Sequence, residues 1–222
     1  MYAYKLFAVA ALLGAAASAN AVTLVNGGFE LSGNANASSQ SFLELSAGSP
    51  VITGWTVAGM GVDLVGSNYW SASEGIQSVD LSRRGAGSIS QSFATITGNA
   101  YLVTFDLSGN PYGGVDDKIS VLTFSGNEPV NQVYSVTAVN SPTNMLWETY
   151  GFNFIATSAL STLTFASGEN SRFGPALDNV GIADMGGSGS TVPEPSTWIM
   201  LLAGFGLVGA SARKRRFRTV AA

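Results

Sequence analysis

The chain has 222 residues, of which 11% are charged and 46% hydrophobic, with 27 glycines and a formal net charge of −4; this suits one β-rich domain with targeting segments and excludes a Glu/Lys-rich helical bundle or a charged disordered chain. It contains no Cys and no His, which removes thiolate chemistry, Ser-His-Asp and Cys-His arrangements and the usual zinc sites. Five of the ten Lys and Arg lie in the last ten positions, and between Val22 and Val192 four basic residues (Arg83, Arg84, Lys118, Arg172) stand against 13 acidic ones, a net of −9, so the middle of the chain lacks the clustered cations that nucleic-acid phosphates require.

Residues 1–21 combine a basic start at Lys5, an apolar run from Leu6 to Ala17 and small residues at Ala17-Ser18-Ala19 and Ala19-Asn20-Ala21. This is the pattern of a secretory signal helix removed by signal peptidase, with cleavage after Ala19 or Ala21. The mature chain is then expected to begin near Val22.

Residues 22–184 read as many short strands. Alternation of period two is clearest in Tyr101, Val103, Phe105 and Leu107 and again in Tyr150, Phe152 and Phe154, as half-buried strands require. Further strand-like runs are Val22–Val25, Thr56–Ala58, Val62–Val65, Ser78–Leu81 and Ser88–Phe93, followed by Ile119–Phe124, Gln132–Val136, Leu163–Phe165 and Leu177–Ile182. Gly, Asn, Pro and Ser separate them, and the Ser/Asn/Ala-rich stretch from Ser32 to Ser49 predicts a long surface loop. The expected fold class is all-β, a jelly-roll β-sandwich. Of the aromatic residues, Trp55 is expected in the core, while Tyr69, Trp70 and Tyr112 stand in loop-like contexts as candidate faces for stacking on a sugar. Asp116-Asp117 reads as a solvated turn, since neighbouring strand residues face opposite sides.

Residues 185–192 have the composition of a flexible Gly/Ser linker. Beyond it come Val192-Pro193-Glu194-Pro195, an apolar segment over 197–212 and the basic end Arg213, Lys214, Arg215, Arg216 and Arg218. A single transmembrane helix is predicted there, with the arginines on the cytoplasmic side and the β-domain outside.

In order and content the 193–218 tail, with Val192 before it, resembles the PEP-CTERM sorting signal. That resemblance implies processing by an exosortase near Pro-Glu-Pro, transient residence in the inner membrane and delivery to the cell surface or extracellular matrix of a Gram-negative bacterium that makes exopolysaccharide. The middle also resembles a family. Asn26-Gly27-Gly28-Phe29-Glu30, Gly54-Trp55-Thr56-Val57, Val62-Asp63-Leu64-Val65, Gln77-Ser78-Val79-Asp80-Leu81, Gly87-Ser88-Ile89-Ser90-Gln91-Ser92-Phe93 and the run Tyr101 to Pro111 follow the order of the choice-of-anchor C domain, which is similar to galactose-binding-like sandwiches and carbohydrate-binding modules. The resemblance implies glycan or exopolysaccharide association without catalysis, and a structural calcium ion held by Glu30 and Asp178, with Asp80 as a weaker candidate. Parity points the same way, because Asp178 shares its phase with Val180 and Ile182 and is expected to face the core, where a carboxylate needs a partner. Capping of a turn by Glu30 or Asp178, or pairing with Arg172, is the alternative. A secreted glycan hydrolase or esterase and a self-associating structural surface protein are the other functional readings.

Overall fold

The computed structural model describes residues 22–33, 41–113, 117–125, 128–136 and 139–187, of which 117–125 and 128–130 are described as backbone only. The signal segment, the sorting tail with Val192 to Pro195, the 197–212 segment, the basic end Arg213 to Arg218, and Asp116 lie outside the described residues. Among the described residues no helix is long and apolar enough to cross a membrane.

Among the described residues eleven strands form the fold: β1 Phe42–Leu45, β2 Thr56–Gly59, β3 Val62–Gly66, β4 Gln77–Asp80, β5 Gly87–Ala94, β6 Asn99–Ser108, β7 Asp117–Ser125, β8 Glu128–Val136, β9 Glu148–Ile155, β10 Leu160–Ser167 and β11 Ala176–Gly187. They make two sheets, β1-β3-β4-β11-β6-β9 and β2-β5-β10-β7-β8, in which every strand pair is antiparallel. The all-β jelly-roll sandwich expected from the strand pattern is the observed fold.

Period-two alternation supplies the core directly. Leu43, Leu64, Val79, Leu177 and Leu107 stand in lateral register across the first sheet, and all join the same apolar cluster as Ile89, Leu163 and Phe165 of the second. Phe105 and Phe165 meet edge to face between the sheets with centroids 5.0 Å apart, a favoured geometry for buried rings. Trp55 is core, as expected, and its indole N–H donates to the Asn26 carbonyl at 2.9 Å.

Three expectations are corrected. Val22–Val25 is not a strand; the Gln91 side-chain amide holds it instead, accepting from the Val25 N–H at 2.6 Å and donating to the Val25 carbonyl at 2.8 Å. The stretch expected as one loop from Ser32 to Ser49 contains β1, which the Ser/Asn-rich composition around it obscured. The last strand runs to Gly187, three residues into the expected linker.

The Asn26-Gly27-Gly28-Phe29 run is a tight turn docked on β11. Asn26 and Phe29 both have positive φ, 59° and 61°, and the Phe29 side chain turns fully into the core against Trp55, with centroids 5.5 Å apart. Gly27 accepts from the Val180 N–H at 3.0 Å, and a Cβ on Gly27 would fall 1.9 Å from the Val180 carbonyl oxygen, so only glycine allows this approach.

Candidate functional site

Alternation that sends leucines inward sends polar side chains to the outer face of the first sheet. Glu44, Asp63 and Asp80 are lateral neighbours on β1, β3 and β4, and Phe42 and Val65 form the next row. Three carboxylates side by side are a costly arrangement, and the loops above them explain how it is tolerated.

The loop between β3 and β4 folds back over this face. Trp70 lies across Val65, Met145 and Ala176 in a small second core, is 1% exposed, and donates its indole N–H to the Ser78 hydroxyl at 2.8 Å. Its expected role as a surface platform is therefore corrected: the loop-like context was right, but the ring has the outer face of the sheet to pack on and is buried there. Tyr69 is half-buried against the same cluster as Trp70. Tyr112 is 47% exposed, and Tyr69 stands between Tyr112 and Phe42, with both centroid separations 5.1 Å.

Carboxylates fasten this loop. Asp178 accepts from the Ser73 and Glu74 N–H groups at 2.8 and 2.9 Å through Oδ2 and from the Asn179 N–H at 2.7 Å through Oδ1. Glu30 accepts from the Ile76 and Gln77 N–H groups at 2.8 Å each. Asp106, opposite Asp178 in register, accepts from the Ser73 hydroxyl at 2.6 Å, the Thr149 hydroxyl at 2.6 Å and the Asn179 side-chain amide at 3.0 Å. Sequence reasoning missed Asp106, because its partners come from three separate segments.

Asp178 is fully buried, but not in the inter-sheet core. Register shifts between Asp178 and Gly181, where Asn179 adopts a φ of 51°. This bulge breaks the phase relation with Val180, so Asp178 faces the outer side and is covered by the loop it caps. Glu30 and Asp178 thus converge on one loop, as turn caps. The calcium ion implied by the resemblance would share their oxygens with five backbone N–H groups, those of Ser73, Glu74, Ile76, Gln77 and Asn179, and would need further oxygen ligands to complete its shell. Among the described residues no group of three or more Asp, Glu, Cys or His is arranged to hold a metal. In this arrangement both carboxylates act as caps of the loop backbone.

Between the outer face and the loops lies a cleft of about 520 Å³. Its floor carries Glu44, Asp63 and Asp80; Phe42, Tyr69 and Phe173 form aromatic walls, and Arg83, Arg84 and Arg172 line the remainder. Arg83 donates to Glu44 at 3.1 and 2.7 Å, and Arg84 lies 3.5 Å from the same oxygen; the Arg83 hydrogen bond holds the Glu44 carboxyl below its usual range. Asp80 is buried and accepts from the Ser82 and Gly174 N–H groups at 2.8 and 3.1 Å and from the Asn110 amide at 2.7 Å. Burial raises its carboxyl well above the ordinary range despite those donors. These three donors occupy Asp80 as a structural cap and leave no support for its weaker calcium candidacy. Asp63 differs: its Oδ1 is buried without a hydrogen-bond partner, and burial, with help from the Glu44 charge, pushes its carboxyl up to about 7. An orphan acceptor inside a cleft is a place for a donor from a ligand.

Two antiparallel sheets packed face to face, with an aromatic-walled polar cleft on one of them, define the class: an all-β jelly-roll sandwich. The fold is similar to the family 61 module TmCBM61 solved in complex with β-1,4-galactotriose, at 19% identity over 72% of this chain and 95% of that one, with a TM-score of 0.50. It is also similar to a family 35 carbohydrate-binding module from Clostridium thermocellum, at 14% identity over 64% of this chain and 97% of that one, TM-score 0.44. Over residues 22–183 the chain belongs to the DUF642 family, described as a protein of unknown function, and residues 191–216 match the PEP-CTERM protein-sorting motif. The tail thus marks the chain as an exported protein processed at a membrane. Among curated proteins it is similar to Halomucin of Haloquadratum walsbyi, 29% identical over 175 residues, which are 78% of this chain and 2% of that protein's length.

Two predictions follow from the carboxylates. Asp63 and Asp178 are both pushed up to about 7, chiefly by burial, whereas unfolded Asp titrates near ~4. The folded chain therefore binds more protons, and this contribution is complete below about pH 4 and lost as pH rises through about 7. The melting temperature should fall as pH rises from about 4 to about 7 and level off above about 8, and Asp63→Asn should recover part of that fall, on the order of 1 kcal/mol or a few degrees; thermal melts across pH check this. Chelator should leave the melting temperature unmoved while Asp178→Ala lowers it by roughly 5 °C or more, since three backbone N–H groups lose their acceptor; a chelator-induced fall that Asp178→Ala removes would assign these residues a cation instead.

Proposed function

We propose that this chain is an exported surface protein whose sandwich binds a glycan in the cleft above β1, β3 and β4 without cleaving it. The observation that carries the reading is the orphaned Asp63 Oδ1 in a cleft walled by Phe42, Tyr69 and Phe173, with Tyr112 packed against Tyr69 at its edge. Pyranose rings present apolar C–H faces and a rim of hydroxyls, which fit an aromatic wall next to unsatisfied hydrogen-bonding groups. The likeness to carbohydrate-binding modules supports the fold that such a site uses.

Binding without hydrolysis is the better reading of the carboxylates. Asp63 and Asp80 are register partners on adjacent strands of one sheet, and Asp80 is tied down by three donors. Glycoside hydrolysis needs an acid and a second carboxylate flanking the scissile bond from opposite sides, and lateral neighbours on one floor do not provide that.

The sorting motif supports the rest of the assignment: an exosortase processes the tail near Pro193-Glu194-Pro195, and the sandwich is released to the surface or matrix of a Gram-negative cell, where exopolysaccharide is the glycan at hand. Mass spectrometry of the surface protein from its own host should find neither the 1–21 segment nor peptides beyond the Pro-Glu-Pro region; intact tail peptides in that fraction count against processing.

The binding site is tested by affinity electrophoresis in gels containing the host exopolysaccharide. Tyr112→Ala, at an exposed ring, should weaken retardation by about tenfold or more, on the scale of one lost stacking contact, with the melting temperature changed by less than ~2 °C. Retardation equal to that of the unsubstituted protein would place the glycan elsewhere.

A further inference from the structure

The distribution of cations says which glycan. Between Val22 and Val192 the chain has four Lys and Arg, and three of them, Arg83, Arg84 and Arg172, line the one cleft; Lys118 lies on β7 of the other sheet. In a region of net charge −9, the long-range field repels anions, so an anionic ligand is held only where local guanidinium groups outweigh it.

The three arginines are not equally engaged. Arg83 and Arg84 converge on the single carboxylate of Glu44, and Arg83 also donates to the Ser46 hydroxyl at 3.1 Å. Arg172 has no hydrogen bond or ion pair among the described residues. It sits at the cleft beside Phe173, whose ring is 37% exposed. The bend that carries both is fixed from below, because the Gly174 N–H donates to Asp80 and the Ser171 hydroxyl donates to the Phe173 carbonyl at 2.8 Å. A Cβ on Gly174 would lie 2.4 Å from the Ser82 hydroxyl and 2.8 Å from Asp80 Oδ1, so the glycine lets the bend approach the floor closely. An arginine on such a bend presents a planar fork that matches a carboxylate in bidentate fashion.

We propose, resting on the glycan-binding reading of this cleft, that its ligand is an acidic glycan, a chain containing uronic acids, whose carboxylate pairs with Arg172 while a ring hydroxyl donates to Asp63 Oδ1. The carboxylates on the floor do not oppose this. Glu44 is neutralised by two guanidinium groups, and Asp80 is satisfied by its own three donors. Asp63 lines the cleft, and its ionised form accepts from a hydroxyl.

The test compares two probes of equal length and related ring, tetragalacturonate and galactotetraose, by isothermal titration calorimetry on the full chain, exported and purified from membranes in detergent. Tetragalacturonate should bind about tenfold or more tightly than galactotetraose, the discrimination that a charge-assisted hydrogen bond supplies. Its affinity alone should fall as salt is raised from about 50 to 300 mM. Arg172→Gln, at an exposed position, should bring the two probes to within about threefold by weakening tetragalacturonate only. Equal or tighter binding of galactotetraose, still lost in Tyr112→Ala, overturns the acidic-glycan proposal and leaves the glycan-binding reading standing. A tetragalacturonate preference that survives Arg172→Gln overturns the role of Arg172. Heats for neither probe, or heats indifferent to Tyr112→Ala, overturn the cleft as a glycan site and the proposal with it.

Discussion

Everything at the cleft depends on one constraint: the backbone N–H groups of the β3 to β4 loop need acceptors, and carboxylates supply them. The half-buried Glu30 from the N-terminal turn accepts from the Ile76 and Gln77 N–H groups and the buried Asp178 from the last strand accepts from those of Ser73 and Glu74, while Asp106 from β6 accepts from the Ser73 hydroxyl. A loop of this length would otherwise expose its polar backbone to water and wander. Held at both ends, it lays Trp70 on the sheet and stands Tyr69 between Phe42 and Tyr112. The carboxylates are thus one step removed from the ligand, and their contribution is to fix an aromatic wall.

The arrangement has an electrostatic consequence. Burial favours the protonated forms of Asp63, Asp80 and Asp178, and the fold meets this in two ways. Asp80 and Asp178 accept several N–H donors, which offset part of their burial within the protein. Asp63 keeps an oxygen without a partner, and its desolvation is compensated only when something from outside donates to it. This contrast between neighbouring carboxylates on one sheet is what separates scaffold from site.

The arginines add direction. An aromatic wall and an acceptor would suit many neutral sugars, but the gathering of Arg83, Arg84 and Arg172 at one mouth of an otherwise anionic domain sets the sign of the ligand's charge. In the proposed reading, the sorting motif at residues 191–216 and the cleft on the sandwich belong to one task, placing a glycan-binding surface outside the cell.

By itself the sequence determined the parts that depend on local pattern. Nearly all the strands follow from period-two alternation between turn residues, the sandwich class follows from their number and spacing, and the sorting tail is legible because it is read as a linear motif. Glu30 and Asp178 were legible as carboxylates in need of partners, and Tyr112 as a ring without a place in the core. Only the tertiary structure decided the rest. Asp178 faces the outer side because a bulge at Asn179 breaks the parity that a sequence pattern assumes. Trp70 is buried because the sheet has a second face to cover, a fact that no local window contains. Asp106, the row of Glu44, Asp63 and Asp80, and the meeting of Arg83 with Arg172 arise from strand register and loop closure between residues far apart in the chain. Such neighbours are set by the pairing of sheets, and pairing leaves no trace in the spacing of the residues that it brings together.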